Sequence, residues 1–520
     1  MSPTPKIERK PLIRALTGVL PAERVSAANV DRLAYARDQW ARNLLAVRNN
    51  RPLVAPPDVV VWPESTSEVL EVVKIAADFR VPLVPWGAGS GVCGGAMALH
   101  GGIMLDLKRM NALVDFSATD QLATFQAGIL GQHLEDQLNL RGTTLGHFPS
   151  SIHCSTLGGW LATRSAGQSS SRYGKIEDMV HSIEVVTGEG RVMTCSRDEE
   201  PELLQLIVGS EGTLGVITQA TLRLHPLPAT RTFRAYRFAD TQAGCEAMRQ
   251  LMQRGLRPAT LRLYDALDTM MVGLSDESEE NEKPQGLRGL AQRLGRRARV
   301  MRGGLRDWAL RNTLSHAKWV SKAGERLLPH VGSGCLLIVG FEGDISTVKT
   351  EANEAHRLIQ ALTGVDLGAG PGLRWFEERH AVAFKQSPLY ASGSFVDTLE
   401  VATTWSKLQQ LHQAIREALS QDAVVLAHFS HAYPEGCSIY FTFAAAEAQH
   451  PRAEKLYDKL WRRGLEAAVR QGGTISHHHG IGVNKARFMH DEHGPGLDVY
   501  RQIKGLFDPK GILNPGKMGL

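Results

Sequence analysis

The sequence predicts two mixed domains, the first α/β or α+β and the second an antiparallel sheet with helices on one face. Three observations predict this organisation. Strand-like and helix-like patterns alternate from residue 55 to 225, as they do in mixed folds. Three segments rich in glycine and hydroxyl residues interrupt that alternation. After Arg231, strand and helix patterns lead to a hairpin turn at 434–436, which favours an antiparallel sheet.

The elements of the first domain follow from residue type and spacing. β-Branched or apolar runs predict strands at 59–62, 81–86, 103–107, 122–126 and within 214–228. Helical spacing of Val69, Leu70, Val73 and Ala76 predicts a helix over 67–79. A second helix is predicted over 129–140, and Gly142 ends it.

The second domain is predicted from the same signals. Its strands are predicted at 232–238, 260–264, 335–341, 394–401, 424–430 and 438–443. Its helices are predicted at 243–254, 345–362 and 405–419. The expected domain limits are 1–50 for a helical lead-in with a helix over 27–47, 51–228, 229–460, and 461–520 for a C-terminal segment that returns to the first domain.

Composition is ordinary for a soluble globular chain of 520 residues, with 43% hydrophobic and 22% charged residues. The net charge of +5 is too small to indicate nucleic-acid binding by itself. We expect no membrane span, because no apolar run reaches 18 residues, and no signal peptide at the N-terminus. The six cysteines are scattered without a C-x-x-C pair, which predicts free thiols and a cytoplasmic protein.

Residues 274–330 differ from the rest in composition. The segment opens acidic and becomes basic from 286 to 330, where leucines and Trp308 recur at roughly helical intervals. A basic amphipathic helix of this kind can lie on an anionic membrane surface, which would make the protein peripheral at the inner face. The alternative, a solvated insertion or a lid, is equally compatible with the pattern.

The three glycine-rich segments lie at 85–95, 149–178 and 209–218, each flanked by strand-like sequence. They contain small residues and hydroxyls where bulky core side chains would otherwise be expected. Such a backbone can press against a flat or charged ligand. A single segment would favour a tight structural turn, but three of them in this order indicate one large phosphate-bearing cofactor held from several sides.

These segments, together with S-T-L-G-G-W-L-A-T-R-S-A-G, S-E-G-T-L-G-V-I-T, the H-H-H-G run and the closing F-D-P-K-G-I-L-N-P-G-K, resemble one family. It is the vanillyl-alcohol-oxidase-type FAD-binding flavoproteins and, within them, the alkyldihydroxyacetonephosphate (alkylglycerone-phosphate) synthases. The resemblance covers roughly residues 50–520. It implies an α+β fold in which a two-subdomain FAD-binding domain of the VAO/PCMH type carries an α+β cap domain built on an antiparallel sheet.

The resemblance also implies which residues hold FAD, which we expect to be bound non-covalently although Cys154 lies in the second segment. The residues expected around the pyrophosphate are Pro85, Trp86, Gly87, Ala88, Gly89, Ser90 and Gly91. Those expected along the flavin are Ser150, Ser151, Ile152, His153, Cys154, Ser155, Thr156, Gly158, Gly159, Thr163, Arg164, Ser165 and Ala166. Those expected on the adenosine side are Glu211, Gly212, Thr213, Leu214, Gly215, Val216 and Ile217.

Tyr440 is the first candidate for chemistry. Strand alternation places Ser438, Tyr440 and Thr442 on the face opposite Ile439 and its apolar neighbours. The phenol therefore points away from the apolar layer. The resemblance implies that this tyrosine is the acid/base near the substrate, while an ordinary buried tyrosine with a satisfied hydroxyl is the alternative.

His477, His478 and His479 cannot all face one way, and the glycines around them indicate a shaped loop. Imidazoles titrate near neutral pH and can donate to phosphate or enolate oxygens. A metal site with His428 and His431 as further ligands is the competing interpretation. Related D-2-hydroxy-acid dehydrogenases carry G-H-x-G-D-G-N-x-H where this chain has A-H-F-S-H-A-Y-P-E-G, and a Glu-His pair where it has the three histidines. This chain lacks both the carboxylate and the G-D-G-N turn, so we expect no metal.

Two more cations complete the candidate set. Arg262 shares a strand face with Thr260 and Tyr264, and the resemblance places it near the flavin, whereas a salt bridge at the domain junction is the alternative. Lys385 lies about where the synthases have a phosphate-binding arginine, although a lysine binds phosphate as a point charge only. The synthases also have an aspartate where this chain has Ser150. Both departures leave the exact substrate open.

The function expected from the resemblance is a transferase that exchanges the acyl group of acyl-dihydroxyacetone phosphate for a fatty alcohol in ether lipid synthesis. The rival is an FAD-dependent D-2-hydroxy-acid dehydrogenase, of D-lactate or glycolate type, and a third reading is a flavin-binding scaffold without turnover. The expected partners are a lipid or a small hydroxy acid and a possible second copy of the chain, with no nucleic acid.

Overall fold

The computed structural model describes residues 8–51, 56–270, 314, 334–381 and 387–520, with only the backbone at 387–388. The strands are β1 (Val25–Ser26), β2 (Val59–Val61), β3 (Leu83–Trp86), β4 (Ile103–Asp106), β5 (Leu113–Ser117), β6 (Leu122–Gln126), β7 (Thr143–Thr144), β8 (Val180–Thr187), β9 (Val192–Ser196), β10 (Gly215–Arg223), β11 (His225–Pro226), β12 (Thr230–Phe238), β13 (Thr260–Tyr264), β14 (Cys335–Gly343), β15 (Val365–Gly368), β16 (Ser394–Thr404), β17 (Val424–Ala432) and β18 (Gly436–Ala446).

The named α-helices are α1 (Arg9–Thr17), α2 (Asn29–Ala34), α3 (Ala41–Arg48), α4 (Thr66–Phe79), α5 (Gly131–Asn139), α6 (Leu157–Thr163), α7 (Ser170–Tyr173), α8 (Ile176–Met179), α9 (Pro201–Ile207), α10 (Thr241–Gln253), α11 (Ile345–Ala361), α12 (Gly370–Glu378), α13 (Ser387–Ala391), α14 (Leu408–Leu419), α15 (His450–Arg470), α16 (Met489–His493) and α17 (Gly496–Phe507). A further helical segment follows β13 at 266–270. No helix in the described parts of the chain combines the length and apolarity that crossing a bilayer requires.

The chain divides into two compact units. The first contains Met1–Ala229 and Ile475–Leu520, and the second contains Thr230–Thr474. The expected limit at 460/461 is wrong, because it falls inside α15 (His450–Arg470). That helix packs within the second unit, where a Cβ on Gly464 would lie 2.7 Å from the Leu399 side chain of β16.

The first unit has two sheets among its described residues. One has the order β1-β2-β4-β3, in which β2, β4 and β3 are parallel. The other has the order β5-β6-β10-β8-β9 and is antiparallel. Apolar side chains of β2 and β4 pack with α4, as the helical spacing predicted, and Val186 and Val216 of the second sheet belong to the same core.

The N-terminal residues are part of the first unit and not a separate lead-in. Leu12 and Leu16 of α1 are fully buried in the core that contains α4. The single helix expected over 27–47 is wrong, because α2 ends at Ala34 and α3 begins at Ala41. Between them the Asp38 carboxylate accepts the Trp40 N–H at 3.1 Å. A short polar side chain that bonds to nearby backbone in this way competes with helix continuation.

The second unit is an antiparallel sheet of order β15-β12-β14-β13-β17-β18-β16. Its expected hairpin joins β17 and β18, in which His428 pairs with Tyr440. Helices cover the face that carries Leu263, Phe429 and Phe441, and His412 of α14 stacks on Phe441 and lies tilted against Phe429. The expectation of helices on one face only is wrong, since Trp375 of α12 packs against Tyr264 and Ile338 on the other face.

Two sequence expectations lie largely outside the described residues. They are the basic insertion at 274–330, of which only Leu314 is described, and Lys385. All six cysteines are free thiols, and Cys154 is the exposed one.

Candidate active site

The first glycine segment begins where β3 ends and turns sharply at Gly89, which has a φ of +66°. A Cβ on Gly89 would lie 2.2 Å from the Trp86 ring, and a Cβ on Gly87 would lie 2.2 Å from Thr156 Oγ1 of the second segment. Both distances are shorter than any van der Waals contact. At Gly87 the backbone of the first segment therefore packs against the Thr156 side chain of the second. Only glycine fits at Gly87 and Gly89.

Residues that the sequence did not single out support this first segment. Lys108 Nζ donates to the Gly87 carbonyl at 3.1 Å and to Asp106 Oδ2 at 2.6 Å. The Tyr35 hydroxyl donates to the same carboxylate oxygen at 2.5 Å. The Tyr35 ring also lies edge-on to Trp86, with 5.2 Å between centroids. The only sequence signal for this arrangement was the strand that places Asp106 at its end.

The second segment forms a 3₁₀ turn at Ile152–Cys154 and then helix α6, whose N-cap Thr156 accepts the Gly159 N–H at 3.3 Å. Ile152 is 1% exposed and belongs to the hydrophobic core, so only its backbone can face a ligand. Ser155 Oγ accepts the Trp160 indole N–H at 2.8 Å, which fixes it within the protein. Ser150, His153 and Cys154 are exposed.

At the end of α6, Arg164 and Ser165 have protein partners. Arg164 has a φ of +50°, and its guanidinium donates to the Gln205 side chain at 3.1 Å, so it ties α6 to α9. Ser165 lies 3.2 Å from Nε2 of His147, a residue that the sequence did not single out. Burial lowers the pKa of His147 to about 3, so this imidazole is neutral. A neutral histidine can hold the Ser165 hydroxyl in one orientation.

The third segment has a role that the sequence did not predict. The Glu211 carboxylate accepts the Ile481 N–H at 2.5 Å and the Gly482 N–H at 2.8 Å. These two amides follow the three histidines after one residue, Gly480. Glu211 therefore holds the histidine loop in place through its carboxylate. The side chains of Leu214, Val216 and Ile217 are buried in the core, so only their backbone can contact a cofactor.

Glu211 lies among buried charges. Burial raises its pKa, and Lys485 and Lys517 oppose that increase. Both lysines are 0% exposed, and burial lowers the pKa of Lys517 to about 8. Asn514 donates to the carbonyls of Gly95 at 2.9 Å and of Glu211 at 2.7 Å. The C-terminal residues therefore join the first and third segments through hydrogen bonds.

The histidine loop is pinned from both ends. The Ile475 N–H donates to Glu492 at 2.9 Å, and the Val483 N–H donates to the Cys93 carbonyl at 2.9 Å. Nδ1 of His477 lies 3.0 Å from Nδ1 of His478, so at least one of these nitrogens lacks a proton. Neighbouring rings are nearly perpendicular, at 79° and 71°. This geometry agrees with the expectation that the imidazoles do not share one direction.

The three segments and the histidine loop thus converge within the first unit. A Cβ on Gly95 would lie 3.1 Å from the Glu211 carboxylate, and one on Gly480 would lie 2.9 Å from it. Gly212 in turn approaches Pro85, at 3.0 Å from its added Cβ. Backbone packed this closely, free of bulky side chains, is the environment that a dinucleotide with two phosphates requires. The residues present therefore fit FAD.

The second unit carries Tyr440 and Arg262 on one sheet face. Tyr440 pairs with His428 across β17 and with Glu400 across β16, and its ring stacks on His428 with 4.7 Å between centroids at 20°. Ile439 and Phe441 are fully buried on the opposite face, as strand alternation predicted. Burial raises the pKa of Tyr440 to about 12, while a hydrogen bond from Thr398 opposes the increase. The phenol is therefore protonated at neutral pH.

Among the described residues, Arg262 contacts a histidine of its own unit. Its Nη2 lies 2.5 Å from Nε2 of His428, and its guanidinium lies 5.3 Å from the centre of the Tyr264 ring. His428 Nε2 thus faces a permanent cation that donates a hydrogen bond. A metal ligand needs that lone pair free and no positive charge beside it, so His428 does not suit the metal site considered from the sequence. His431 has a φ of +52° at a bulge of β17.

Residues 227–518 match the family described as FAD linked oxidases, C-terminal domain, and residues 57–196 match an FAD binding domain. The chain belongs to the FAD-linked oxidase family. FAD is its cofactor, as the glycine-rich segments and the resemblance predicted. Which side chains contact FAD stays a prediction for each residue named above.

Relatives of this FAD-linked oxidase family member cover nearly its whole length. An alkyldihydroxyacetonephosphate synthase of Trypanosoma brucei brucei is 28% identical over 529 residues, 99% of this chain and 81% of the relative. A glycolate oxidase subunit of Bacillus subtilis (strain 168) is 25% identical and covers 95% of this chain and 94% of the relative.

Solved structures confirm the α+β fold of the vanillyl-alcohol-oxidase type. An alkyldihydroxyacetonephosphate synthase matches with a TM-score of 0.74 and 26% identity, over 99% of this chain and 86% of that one. A p-cresol methylhydroxylase with substrate bound matches with a TM-score of 0.71 at 15% identity, over 98% and 96% of the two chains, which shows the fold alone.

Proposed function

We propose that this chain is an FAD-dependent transferase of the alkyldihydroxyacetonephosphate synthase type. The observation that supports it is the similarity to such synthases over 99% of the chain, in sequence and in structure alike. The proposed reaction joins acyl-dihydroxyacetone phosphate and a fatty alcohol to give the alkyl ether and a free fatty acid. One C1–O bond breaks and another forms, a C1 proton leaves and returns, and no net redox change occurs.

The side chains of the second unit suit a reaction of this kind. Tyr440 Oη holds a proton at neutral pH, because burial raises its pKa to about 12, so it can donate a proton and can accept the C1 proton only after it has donated its own. Arg262 supplies a fixed positive charge for an anionic group. The first unit supplies the imidazoles of His477, His478 and His479 as donors or acceptors. FAD, when bound, supplies an electron-poor ring that can take up negative charge from a substrate carbon.

The rival function is the oxidation of a D-2-hydroxy acid. It is favoured by one observation, the match to a glycolate oxidase subunit over 95% of the chain. The two functions differ in what they do to the flavin, since hydroxy-acid oxidation reduces it and acyl exchange leaves it oxidised at the end of each turnover.

The test uses the purified full-length protein with FAD bound. Labelled hexadecanol and palmitoyl-dihydroxyacetone phosphate are supplied together, and the labelled ether product is separated and counted. In parallel, the flavin absorbance near its visible maximum is followed under anaerobic conditions with D-lactate or glycolate. We expect ether product and an unbleached flavin. Bleaching by either hydroxy acid without ether product would replace the proposal by its rival.

We also propose that the protein is cytoplasmic and contacts anionic membrane through 286–330, which would suit two lipid substrates. This proposal is supported by the basic amphipathic pattern of the segment alone. Flotation with vesicles that contain anionic lipid measures it. We expect the full chain to float at low salt and a variant without 286–330 to stay in solution, and equal behaviour of the two would contradict membrane contact.

A further inference from the structure

His428 lies between an arginine and a carboxylate on the polar sheet face of the second unit. Its Nε2 is 2.5 Å from Nη2 of Arg262, and its Nδ1 is 3.5 Å from Oδ2 of Asp268. Asp268 is in the short helical segment 266–270 that directly follows the strand of Arg262. The three side chains thus form a row, Asp268–His428–Arg262, beside the ring of Tyr440.

The partners of His428 determine which ring nitrogen carries the proton. A guanidinium has five N–H donors and no acceptor, so Nε2 must present a lone pair to Arg262. The single proton of the neutral ring is then on Nδ1, where it faces the Asp268 carboxylate. Burial lowers the pKa of His428 well below its ordinary value, and the Arg262 charge lowers it further. The ring is therefore neutral and in one tautomer.

A second buried histidine shows what a purely structural role looks like in the same unit. His412 of α14 is 9% exposed, and burial lowers its pKa to about 3. It lies on the helix-covered face, where it stacks on Phe441 with 5.8 Å between centroids. Its Nε2 has no hydrogen-bond partner among the described residues. His428, in contrast, has an ionisable group at each nitrogen, Arg262 at Nε2 and Asp268 at Nδ1.

We propose that His428 is a positioning residue that fixes the Arg262 guanidinium and the Tyr440 ring, and that Arg262, with Asp268 at the other nitrogen, fixes its tautomer. His428 binds one edge of Arg262, whose buried Nε has no hydrogen-bond partner among the described residues, so this contact directs the rest of the guanidinium. The stacked His428 ring confines the phenol at the same time. The expected effect on turnover rests on the proposed function, whereas the expected tautomer of His428 rests only on its contacts.

The tautomer is measured by ¹⁵N NMR of the full-length protein labelled at histidine. The signals missing from the His428→Gln spectrum identify this residue. We expect an unprotonated Nε2 and a protonated Nδ1, with the His428 ring neutral between pH 6 and 8. Burial raises the pKa of Asp268 to about 7, so this carboxyl titrates in the same range, but Nε2 still faces Arg262 and the tautomer should not change. In Asp268→Asn the amide oxygen can still accept from Nδ1, so we expect the same tautomer. A proton on Nε2 in the wild type, or titration with an ordinary histidine pKa, would overturn the arrangement.

Two substitutions at the same position separate positioning from packing. Glutamine places its Oε1 near the site of Nε2 and keeps an acceptor for Arg262, whereas asparagine is too short to reach it. We expect kcat in the ether-forming assay to fall about 100-fold in His428→Asn and to stay within about tenfold in His428→Gln, with KM changing less than kcat in both. His412→Gln serves as the control and should leave kcat unchanged while it lowers the thermal midpoint.

The outcomes distinguish this inference from the proposed function. Equal kcat values for His428→Asn and His428→Gln, in proteins of equal thermal midpoint and flavin content, would overturn the positioning role. Absence of ether formation in the wild type would instead contradict the proposed function. In that case the NMR result alone decides whether Asp268 and Arg262 fix His428 as described.

Discussion

The two units build their candidate sites from different parts of the chain. In the first unit, glycines allow the backbone to approach side chains of other segments and of its own, and Gly87, Gly89 and Gly480 leave no space for a Cβ. In the second unit, the sheet face presents the functional ends of Arg262 and Tyr440. The site in the first unit depends on how closely the backbone packs, so a substitution that adds side-chain atoms should disturb it. The site in the second unit depends on the chemical groups of its side chains, so a substitution that replaces one group by another should disturb it. The two units should therefore fail in different ways.

The largest effect is expected in the second unit, from Tyr440→Phe. This change removes one oxygen and the proton that burial keeps on the phenol, and it keeps the ring that stacks on His428. Loss of a general acid/base lowers turnover by about 10²–10⁴-fold. We expect that loss in kcat of the ether-forming assay, with flavin content unchanged.

The matched control for Tyr440 is Tyr236→Phe in the same sheet. Burial raises the pKa of Tyr236 to about 12 as well, and its hydroxyl lies 3.1 Å from His356 Nδ1. Loss of that hydrogen bond should cost about 1 kcal/mol of stability and leave kcat unchanged. If the two variants lose turnover equally, Tyr440 is a structural tyrosine and the contrast between the units does not hold.

Glu211→Gln tests whether the first unit fixes its histidine loop by shape. Glutamine keeps the size of the side chain, but it replaces one acceptor oxygen by an NH₂ that faces an N–H, and it leaves Lys485 and Lys517 without this carboxylate. Removing one partner from buried charges costs about 3–5 kcal/mol. We expect that loss in the free energy of unfolding, and faster modification of His477–His479 by diethyl pyrocarbonate.

The control for Glu211 is Glu135→Gln. The Glu135 carboxylate is 1% exposed and accepts N–H groups of Leu145 and Gly146 at 3.1 and 3.2 Å, so it also holds a loop of the first unit. We expect it to lower stability without changing histidine reactivity. Equal histidine reactivity in Glu211→Gln and in the wild type would show that the loop keeps its shape without Glu211.

Sequence patterns predicted most strands of the second unit and part of those of the first, because burial imposes simple periods, but they missed β5, β8, β9 and the helix α15. The strand at Thr260–Tyr264 and the alternation around Tyr440 were predicted with their facing correct. The glycine-rich segments predicted the cofactor for a similar reason, since tight backbone needs small residues wherever it occurs. The limit at 460/461 failed because α15 carries polar residues on its outer face and resembles a linker when only composition is considered.

Partners that are distant in sequence could not be predicted. Glu211 and Ile481 are 270 residues apart, and nothing in either segment indicates that a carboxylate will meet those amides. The same is true of Arg262 and His428, 166 residues apart, where the sequence suggested a junction salt bridge for one and a metal for the other. Such pairs depend on strand order, which local patterns do not determine.

A smaller effect is expected when atoms are added to the first unit. Gly87→Ala places a Cβ at 2.2 Å from Thr156 Oγ1, which also caps α6. Overpacking of this kind costs about 1–3 kcal/mol, so the dissociation constant for FAD should rise about tenfold or more. Gly505→Ala in α17 is the control, because nothing lies within 4 Å of its added Cβ and it is not among the residues expected to hold FAD. Adding Thr156→Ala to Gly87→Ala should recover part of the affinity, and no recovery would contradict the contact.

The smallest effect is expected from the charge of one buried side chain in the first unit. Asp38 is 1% exposed, and burial raises the pKa of its carboxyl from 3.8 to about 6, although Trp40 N–H and Lys517 oppose the increase. A carboxyl with a raised folded pKa contributes stability below 3.8 and loses it as pH rises through about 6. Wild type should therefore lose about 1.4 kcal/mol more than Asp38→Asn between pH 5 and pH 8. Urea unfolding at the two pH values measures this difference. The same pH dependence in both proteins would mean that Asp38 has the same pKa in the folded and in the unfolded chain. The charge of this side chain would then have no part in holding the N-terminal segment against the first glycine turn.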